Sequence, residues 1–239
     1  MSKKLFLTLA TVLFIGVTTF AQTSFPNDRS KDLEYVVHGI YSRPVKKEKL
    51  IDAKSLSDII DDYPNNWITS YVSVEILGTC KGKAMKAVTA NDKLSKEQIN
   101  ILNTIDLASD VVINVKYNYK EPITNTNENN TMHVVMTVVP EKEAEYIGGY
   151  EHLITYLKEK SRNIIPIQHS NKVQLTVRFT INEGGEITNA KIADTSGDSK
   201  TDKLLLEVIS KMPNWRPAEN IKGIKVKQDF KFSIGKSGC

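Results

Sequence analysis

The stretch Met212-Pro213-Asn214-Trp215-Arg216-Pro217 separates two regular patterns and decides the fold of this chain. Proline ends a helix and cannot donate in a β-ladder, so Pro213 and Pro217 mark a break in regular structure. Before the break, residues 201 to 211 are predicted to form a helix whose apolar stripe contains Leu204, Leu205, Val208, Ile209 and Met212. After a polar loop that ends at Gly223, a final strand is predicted, and one of its faces carries Ile224, Val226, Gln228, Phe230, Phe232 and Ile234.

A helix and a hairpin are predicted upstream of this break. Gly148-Gly149 precedes apolar residues at helical spacing, which continue to about Arg162. Residues 173 to 181 alternate between apolar and polar, and Glu183-Gly184-Gly185-Glu186 supplies a tight turn before a returning strand over residues 187 to 193. The order helix, strand, strand, helix, strand predicts an α+β fold, in which a small sheet carries helices on one face. Such a sheet has at least one unpaired edge, which can accept an extended peptide by strand addition.

This order and its motifs resemble the C-terminal domain of TonB energy transducers over about residues 145 to 234. The residues that carry the resemblance are the strand and turn at residues 179 to 185, Gly223, and the motif positions Gly148, Gly149, Gly184, Gly185, Pro213, Trp215 and Pro217. The resemblance implies a periplasmic domain that binds the short amino-terminal box of outer-membrane transporters by pairing with the domain's last strand. That strand spans residues 225 to 234 here, and the implied peptide-binding residues of this edge strand are Lys225, Val226, Lys227, Gln228, Asp229, Phe230, Lys231 and Phe232.

Trp215 has two interpretations. The resemblance implies that it packs at the entrance of the peptide-binding strand. Its position between two prolines favours a structural role, in which the indole fixes a loop against the core.

The chain also departs from the family pattern. Between Pro166 and Val173 it is several residues shorter than the family, and it lacks the glycine that usually precedes the first strand. A Pro-rich spacer is missing, since only 8 prolines are scattered through the sequence. These departures argue against a self-sufficient energy transducer.

Residues 31 to 140 are predicted to form a separate α+β domain, followed by the TonB-like domain over residues 141 to 239. A strand is predicted from Glu34 to Tyr41, and Ser95 with Gln98 forms a capping box for a helix. The order helix, strand, strand, helix, strand recurs here about a hundred residues before its counterpart. Internal duplication is one hypothesis, and chance recurrence of a common order is the alternative.

The first 21 residues have the pattern of a secretory signal. Lys3 and Lys4 precede an apolar run from Leu5 to Phe20, and small residues stand at the expected cleavage site after Ala21. The run would rise about 24 Å as a helix, which is less than the roughly 30 Å hydrocarbon core of a membrane. We therefore expect export to the periplasm. An uncleaved inner-membrane anchor is the alternative.

The composition offers little support for other function classes. The net charge is +4, so no strong field would attract nucleic acid. The sequence contains no nucleophile elbow, phosphate loop or dinucleotide fingerprint, and its 4 histidines stand apart from one another. We therefore predict no enzyme activity, no metal site and no small-molecule cofactor. Cys80 and Cys239 either pair in an oxidising compartment or remain a buried thiol and a free terminal one.

Three functions remain open from the sequence. The first is an exported periplasmic binding protein that docks extended peptide segments of outer-membrane TonB-dependent transporters or other envelope proteins. The second is a structural or adaptor protein that uses the same fold for assembly of an envelope complex. The third is a short membrane-anchored transducer. A homodimer is compatible with each of them.

Overall fold

The computed structural model describes residues 33–164, 174–213 and 215–236, and these residues form an α+β protein. The helices are α1 (Lys47–Ile51), α2 (Leu56–Ile59), α3 (Lys96–Thr104), α4 (Gly149–Ser161) and α5 (Ser199–Ser210). The long strands are β1 (Leu33–Gly39), β3 (Ile68–Cys80), β4 (Lys83–Thr89), β5 (Asp110–Lys120), β6 (Asn127–Val139), β8 (Leu175–Ile181), β9 (Ile187–Asp194) and β13 (Gln228–Lys236). The short strands are β2 (Pro44–Lys46), β7 (Glu145–Tyr146), β10 (Trp215–Arg216), β11 (Ala218–Glu219) and β12 (Lys225–Val226).

Two larger sheets organise these elements. The first has five strands in the order β2-β6-β5-β3-β4, and the second has four in the order β1-β13-β8-β9. Each sheet has its own core of buried side chains, centred on residues such as Ile76, Ile101 and Ile113 in the first unit and Phe179, Phe232 and Leu157 in the second. The α+β class predicted from the sequence is confirmed.

Helices cover one face of each sheet. In the first unit α3 packs against β3 and β4, and α1 packs against α3. In the second unit α4 packs against β1, and α5 packs against β8 and β9. In β3, buried residues alternate with partly exposed ones from Val74 to Cys80, which is the pattern of a sheet with one covered face.

The strand β1 departs from the domain organisation expected from the sequence. The sequence pattern places it in the first domain, over residues 31 to 140, but it pairs with β13 in the sheet of the second unit. The chain then crosses to β2, which pairs in parallel with β6 in the first sheet. The pairing partner of a strand is set by contacts far away in sequence, so the local pattern of residues 34 to 41 did not reveal it.

The two sheets share a strand order. In each, a hairpin, a helix and a further strand follow one another, and this further strand returns to pair with the first strand of the hairpin. A fourth strand then covers its other side, namely β6 beside β5 and β1 beside β13, and all of these pairings are antiparallel. The first unit is thus a mixed sheet with helices and no β-sandwich, which agrees with the duplication hypothesis.

The predicted capping box at the start of α3 is confirmed. The Ser95 N–H donates to Gln98 Oε1 at 3.0 Å, and the Gln98 N–H donates to Ser95 Oγ at 3.2 Å. The Gln98 side chain is fully buried, and its Nε2 also donates to the Val74 carbonyl at 3.0 Å. One side chain therefore caps the helix and ties it to β3.

Two sequence expectations concern parts of the chain outside the described residues. The predicted signal segment, residues 1 to 21, and Cys239 both lie there. Within the described ranges, no helix is both long enough and apolar enough to cross a membrane.

Replacing Gln98 with Met keeps the volume of the side chain but removes its hydrogen bonds. We expect Gln98→Met to lower the free energy of unfolding by about 2–3 kcal/mol, because the Val74 carbonyl and the Ser95 N–H lose buried partners. Urea unfolding measures the loss. Lys96→Met, on the exposed side of the same helix, is the control, and an equal loss in both variants would contradict the proposed role of Gln98.

Candidate functional site

The predicted peptide-binding strand lies in the interior of the second sheet. Residues Gln228 to Ile234 of β13 pair with Ile181 to Leu175 of β8 on one side. On the other side, Phe230 to Lys236 pair with Gly39 to Leu33 of β1. The prediction that this strand is an edge is therefore wrong, because β1 occupies the position at which a peptide would add.

The predicted binding residues fall into two structural groups. Lys225 and Val226 form β12, which pairs with β11 in a separate two-stranded ribbon. Lys227 lies between the two strands, and the residues from Gln228 onward belong to the four-stranded sheet, where Phe230 and Phe232 point into the core and Asp229 is exposed. Peptide binding by these residues stays a prediction, and it now requires that β1 leave its place.

The strand β1 is held by its side chains as well as by its backbone. Leu33, Tyr35 and Val37 are buried in the second core. The Tyr35 ring lies 6.2 Å from the Phe232 ring between centroids, and its hydroxyl is hydrogen-bonded to Ser161 Oγ at 2.9 Å. Lys158, which lies on α4 together with Ser161, places its Nζ 5.9 Å from the Tyr35 ring centroid. Burial raises the pKa of the Tyr35 phenol. The place beside β13 is therefore an apolar groove between β13 and α4, filled by alternate side chains of an extended segment.

Trp215 belongs to the core below this groove. Its side chain is 7% exposed, and its ring centroid lies 5.2 Å from that of Phe230, 5.7 Å from that of Tyr146 and 6.1 Å from that of Phe179. Its backbone pairs with Tyr146 in the ribbon of β10 and β7. The indole thus fixes residues 215 to 217 against the sheet, which is the structural role that the sequence favoured. The indole Nε1 has no hydrogen-bond partner within the described part of the chain.

The glycine turn and the tryptophan motif contact each other directly. Gly185 has a φ of +81°, and a Cβ placed on it would lie 2.3 Å from the Trp215 carbonyl oxygen. Asn182 shapes the turn, since its Oδ1 accepts hydrogen bonds from the N–H groups of Gly184 and Glu186, both at 2.9 Å. Two motifs that are thirty residues apart in sequence therefore form one contact. This contact requires glycine both for its conformation and for its lack of a side chain.

The glycines at the start of α4 have a similar explanation. Gly148 and Gly149 have φ values of +103° and +83°. A Cβ on Gly148 would lie 2.2 Å from His152 Nδ1, whereas a Cβ on Gly149 would meet nothing within 4 Å. Both glycines thus allow the chain to turn from β7 into the helix.

A polar group that the sequence did not reveal joins the two segments that connect the units, beside β13. The Tyr41 hydroxyl hydrogen-bonds to the Glu143 carboxylate, with 2.8 Å to each oxygen. Gln228 Nε2 donates to Glu143 Oε2 at 3.0 Å, and Gln228 Oε1 accepts from the Ala144 N–H at 2.7 Å. One predicted peptide-binding residue, the buried Gln228, is therefore already engaged within the chain. The residues of this group are distant in sequence, so no local spacing could have indicated it.

Cys80 is a free, buried thiol on β3, and its Sγ lies 3.6 Å from the Ile101 carbonyl oxygen. Its pairing with Cys239 stays a prediction because Cys239 lies outside the described residues. Among the residues that the structure describes, no group of three or more His, Cys, Asp or Glu side chains could hold a metal ion.

Comparison of the chain with known proteins identifies no relative. No protein-family model matches the chain, and searches of curated proteins and of solved structures find no match either.

Replacing Gly185 with Ala tests the contact between the two motifs. We expect Gly185→Ala to lower the free energy of unfolding by about 2–4 kcal/mol, because a left-handed conformation and a collision with backbone are combined. Gly197→Ala is the matched control: its φ is +87°, but a Cβ there meets nothing within 4 Å. The control should cost only about 1 kcal/mol. Equal losses in urea unfolding would show that the Trp215 contact contributes nothing.

The hydrogen bond between Tyr41 and Glu143 should make stability depend on alkaline pH. Burial, together with the hydrogen bond to Glu143 and its charge, raises the pKa of Tyr41 to about 12. Because the unfolded chain has a phenol pKa of about 10, the folded state holds this proton more tightly. The contribution of Tyr41 is complete below pH 10 and is lost as the pH rises toward 12. The difference in urea midpoint between the unaltered chain and Tyr41→Phe should therefore shrink from pH 8 to pH 11, and a constant difference would contradict this assignment.

Proposed function

We propose that this chain is a non-enzymatic binding protein of the cell envelope, exported to the periplasm, that takes extended peptide segments of outer-membrane transporters as a strand beside β13. In the absence of a partner, its own strand β1 fills that place. The partner class comes from the resemblance of the second unit to the TonB C-terminal domain. The mode of binding comes from the geometry of the sheet.

The observation that carries the proposal is the ladder between β1 and β13. The seven residues of β1 form a complete antiparallel register with residues from the other end of the chain. This ladder supports the proposal, because the side of β13 away from β8 is filled by an extended segment that no short turn delivers. Main-chain hydrogen bonds supply affinity in this mode of recognition, and alternate side chains supply selectivity. Here the selecting positions are those of Leu33, Tyr35 and Val37.

A partner peptide must replace what β1 contributes. Burial of each of its three apolar side chains stabilises the folded state by roughly 1.5–3 kcal/mol relative to exposure. A competing segment therefore needs apolar or aromatic residues at alternate positions. Because β1 is tethered to the chain, it is present at a high effective concentration, so a free peptide has a lower apparent affinity than its intrinsic affinity.

One observation favours the alternative of a structural adaptor. The hydrogen bonds among Tyr41, Glu143 and Gln228 hold the segment after β1 against the start of β13. An ion pair between Lys142 and Glu219, at 2.8 Å, lies beside them in sequence. If β1 never leaves β13, the second unit is a closed domain. Its fold would then serve assembly through its outer surfaces.

Weakening β1 distinguishes exchange from a closed domain. Tyr35→Ala removes the ring contact with Phe232 and the hydrogen bond to Ser161 without altering β13. We expect it to raise the affinity of the full chain for transporter-box peptides, and for a synthetic peptide of residues 33 to 39, by roughly ten- to a hundredfold. The measurement is a titration followed by the backbone amide signals of Gln228 to Ile234.

The matched control is Tyr150→Ala, which alters a 49% exposed tyrosine on the neighbouring helix and should leave the affinity unchanged. A scrambled peptide with the composition of residues 33 to 39 should not bind. If the folded Tyr35→Ala variant shows no shifts in Gln228 to Ile234 with any peptide, exchange at β13 is excluded and the adaptor function is supported. Shifts confined to Leu33–Gly39 would also exclude exchange, because they indicate addition to the outer edge of β1.

A further inference from the structure

The face of the second sheet opposite to α4 and α5 carries a row of basic side chains. Lys191 of β9 lies opposite Arg178 of β8, Arg178 lies opposite Lys231 of β13, and His38 of β1 continues the row beyond Lys231. Neighbouring strands are about 4.8 Å apart, so Lys191, Arg178 and Lys231 extend across roughly 10 Å of the sheet. Lys191, Arg178 and Lys231 together form the basic row.

The positive charge of the basic row exceeds the negative charge of Asp229, which lies one row away on the same face. None of the three forms an ion pair or a side-chain hydrogen bond with another residue in the described ranges. Asp229, one row away, accepts a hydrogen bond from Thr180 Oγ1 at 2.6 Å. Like charges directly opposite each other on adjacent strands destabilise a sheet. The row therefore carries a cost in the free protein.

The corresponding face of the first sheet shows the opposite arrangement. There, Glu75 accepts from Asn114 at 2.8 Å and pairs with Lys86 at 2.6 Å, while Asn114 Oδ1 is hydrogen-bonded to His133 Nδ1 at 2.6 Å. That polar row connects four strands and compensates its own charge. Among the described residues, the second sheet thus differs from the first in the charge balance of this face.

A β-bulge brings Lys191 into the basic row. Thr188 lies opposite Thr180, and a regular ladder from this pair would place Ala190 opposite Arg178 and turn Lys191 toward the core. A register shift between these pairs instead places Lys191 opposite Arg178. Asn189 within the shift has a φ of +53°, a conformation that asparagine tolerates better than most residues. Bulges of this kind redirect side chains and recur beside functional sites.

Two members of the basic row, Arg178 and Lys191, line a surface depression of about 630 Å³. Lys231 lies outside this lining, beside Arg178 on the neighbouring strand. The lining of the depression includes Arg178, Lys191, Lys227 and Asn189, together with the carboxylate of Asp229. The depression thus offers a concave space in which a small ligand can meet several cations at once. The guanidinium of Arg178 can bind a phosphoryl group through two parallel hydrogen bonds, and the lysines act as point charges beside it.

We propose that the basic row, Lys191, Arg178 and Lys231, binds the diphosphate group of an anionic ligand. A single carboxylate would compensate only one of the three positive charges, whereas a diphosphate carries about three negative charges. The oxygens on its two phosphorus atoms are also strong hydrogen-bond acceptors. The diphosphate is either free in solution or the headgroup of a lipid. The three cations themselves lie on β8, β9 and β13 and not on β1, so ligand binding here can be tested separately from peptide binding.

Two measurements on the full chain test this site and its source of ligand. In the first, inorganic pyrophosphate is titrated into the protein by calorimetry at low ionic strength, with sulfate at matched ionic strength as the reference anion. In the second, the protein is sedimented with phosphatidylcholine vesicles with and without farnesyl diphosphate. We expect pyrophosphate to bind more tightly than sulfate. Binding to the vesicles only when they carry the diphosphate lipid assigns the lipid source, and binding in solution alone assigns the free one.

Variants locate the binding. Arg178→Gln and Lys231→Gln should each weaken diphosphate binding about ten- to a hundredfold, because each removes a charge-assisted contact. Lys116→Gln, an exposed cation on the first sheet, is the matched control and should change nothing. Asn189→Gly, which tolerates the bulge conformation, should retain binding. The proposal is overturned if neither pyrophosphate nor diphosphate vesicles bind, or if Arg178→Gln and Lys231→Gln bind as well as Lys116→Gln does.

Discussion

The pairing of β1 with β13 is the constraint on which the rest of this structure depends. It completes the second sheet and buries Leu33, Tyr35 and Val37 over its core. Cleaving the chain at one peptide bond would therefore not separate the two units, because β1 precedes the whole first unit while β13 closes the second. The crossing segment after β1 is held by Tyr41 on Glu143, so the strand and its connection are anchored together.

Most individual elements could be predicted from the sequence, because their signals are local. The alternation in residues 173 to 181, the glycine turn before β9 and the proline break after α5 each depend on neighbours within a few residues. The capping box of Ser95 and Gln98 was predictable for the same reason. The short helix α1 was not predicted, because its five residues are too few to show a period.

The arrangement of the candidate site could be predicted only in part. The alternating pattern of β13 is the same in an edge strand and in an interior strand, so its residues could not show that β1 covers them. Trp215 was recognised as a loop anchor because of its flanking prolines, but its contact with Gly185 depends on how the turn folds back. The position of Lys191 opposite Arg178 could not be predicted from the sequence either. An alternating strand without a bulge would have placed it on the covered face.

The two register shifts in β9 also bear on how copies of this protein behave beside one another. β9 is an outer strand of its sheet, and its ladder is interrupted at Thr176 and again between Arg178 and Thr180. A strand bent at two places presents no flat row of N–H and C=O groups to a second molecule, and the lysine on it adds repulsion between like copies. The bulge that aligns Lys191 therefore also protects this edge of the sheet against aggregation.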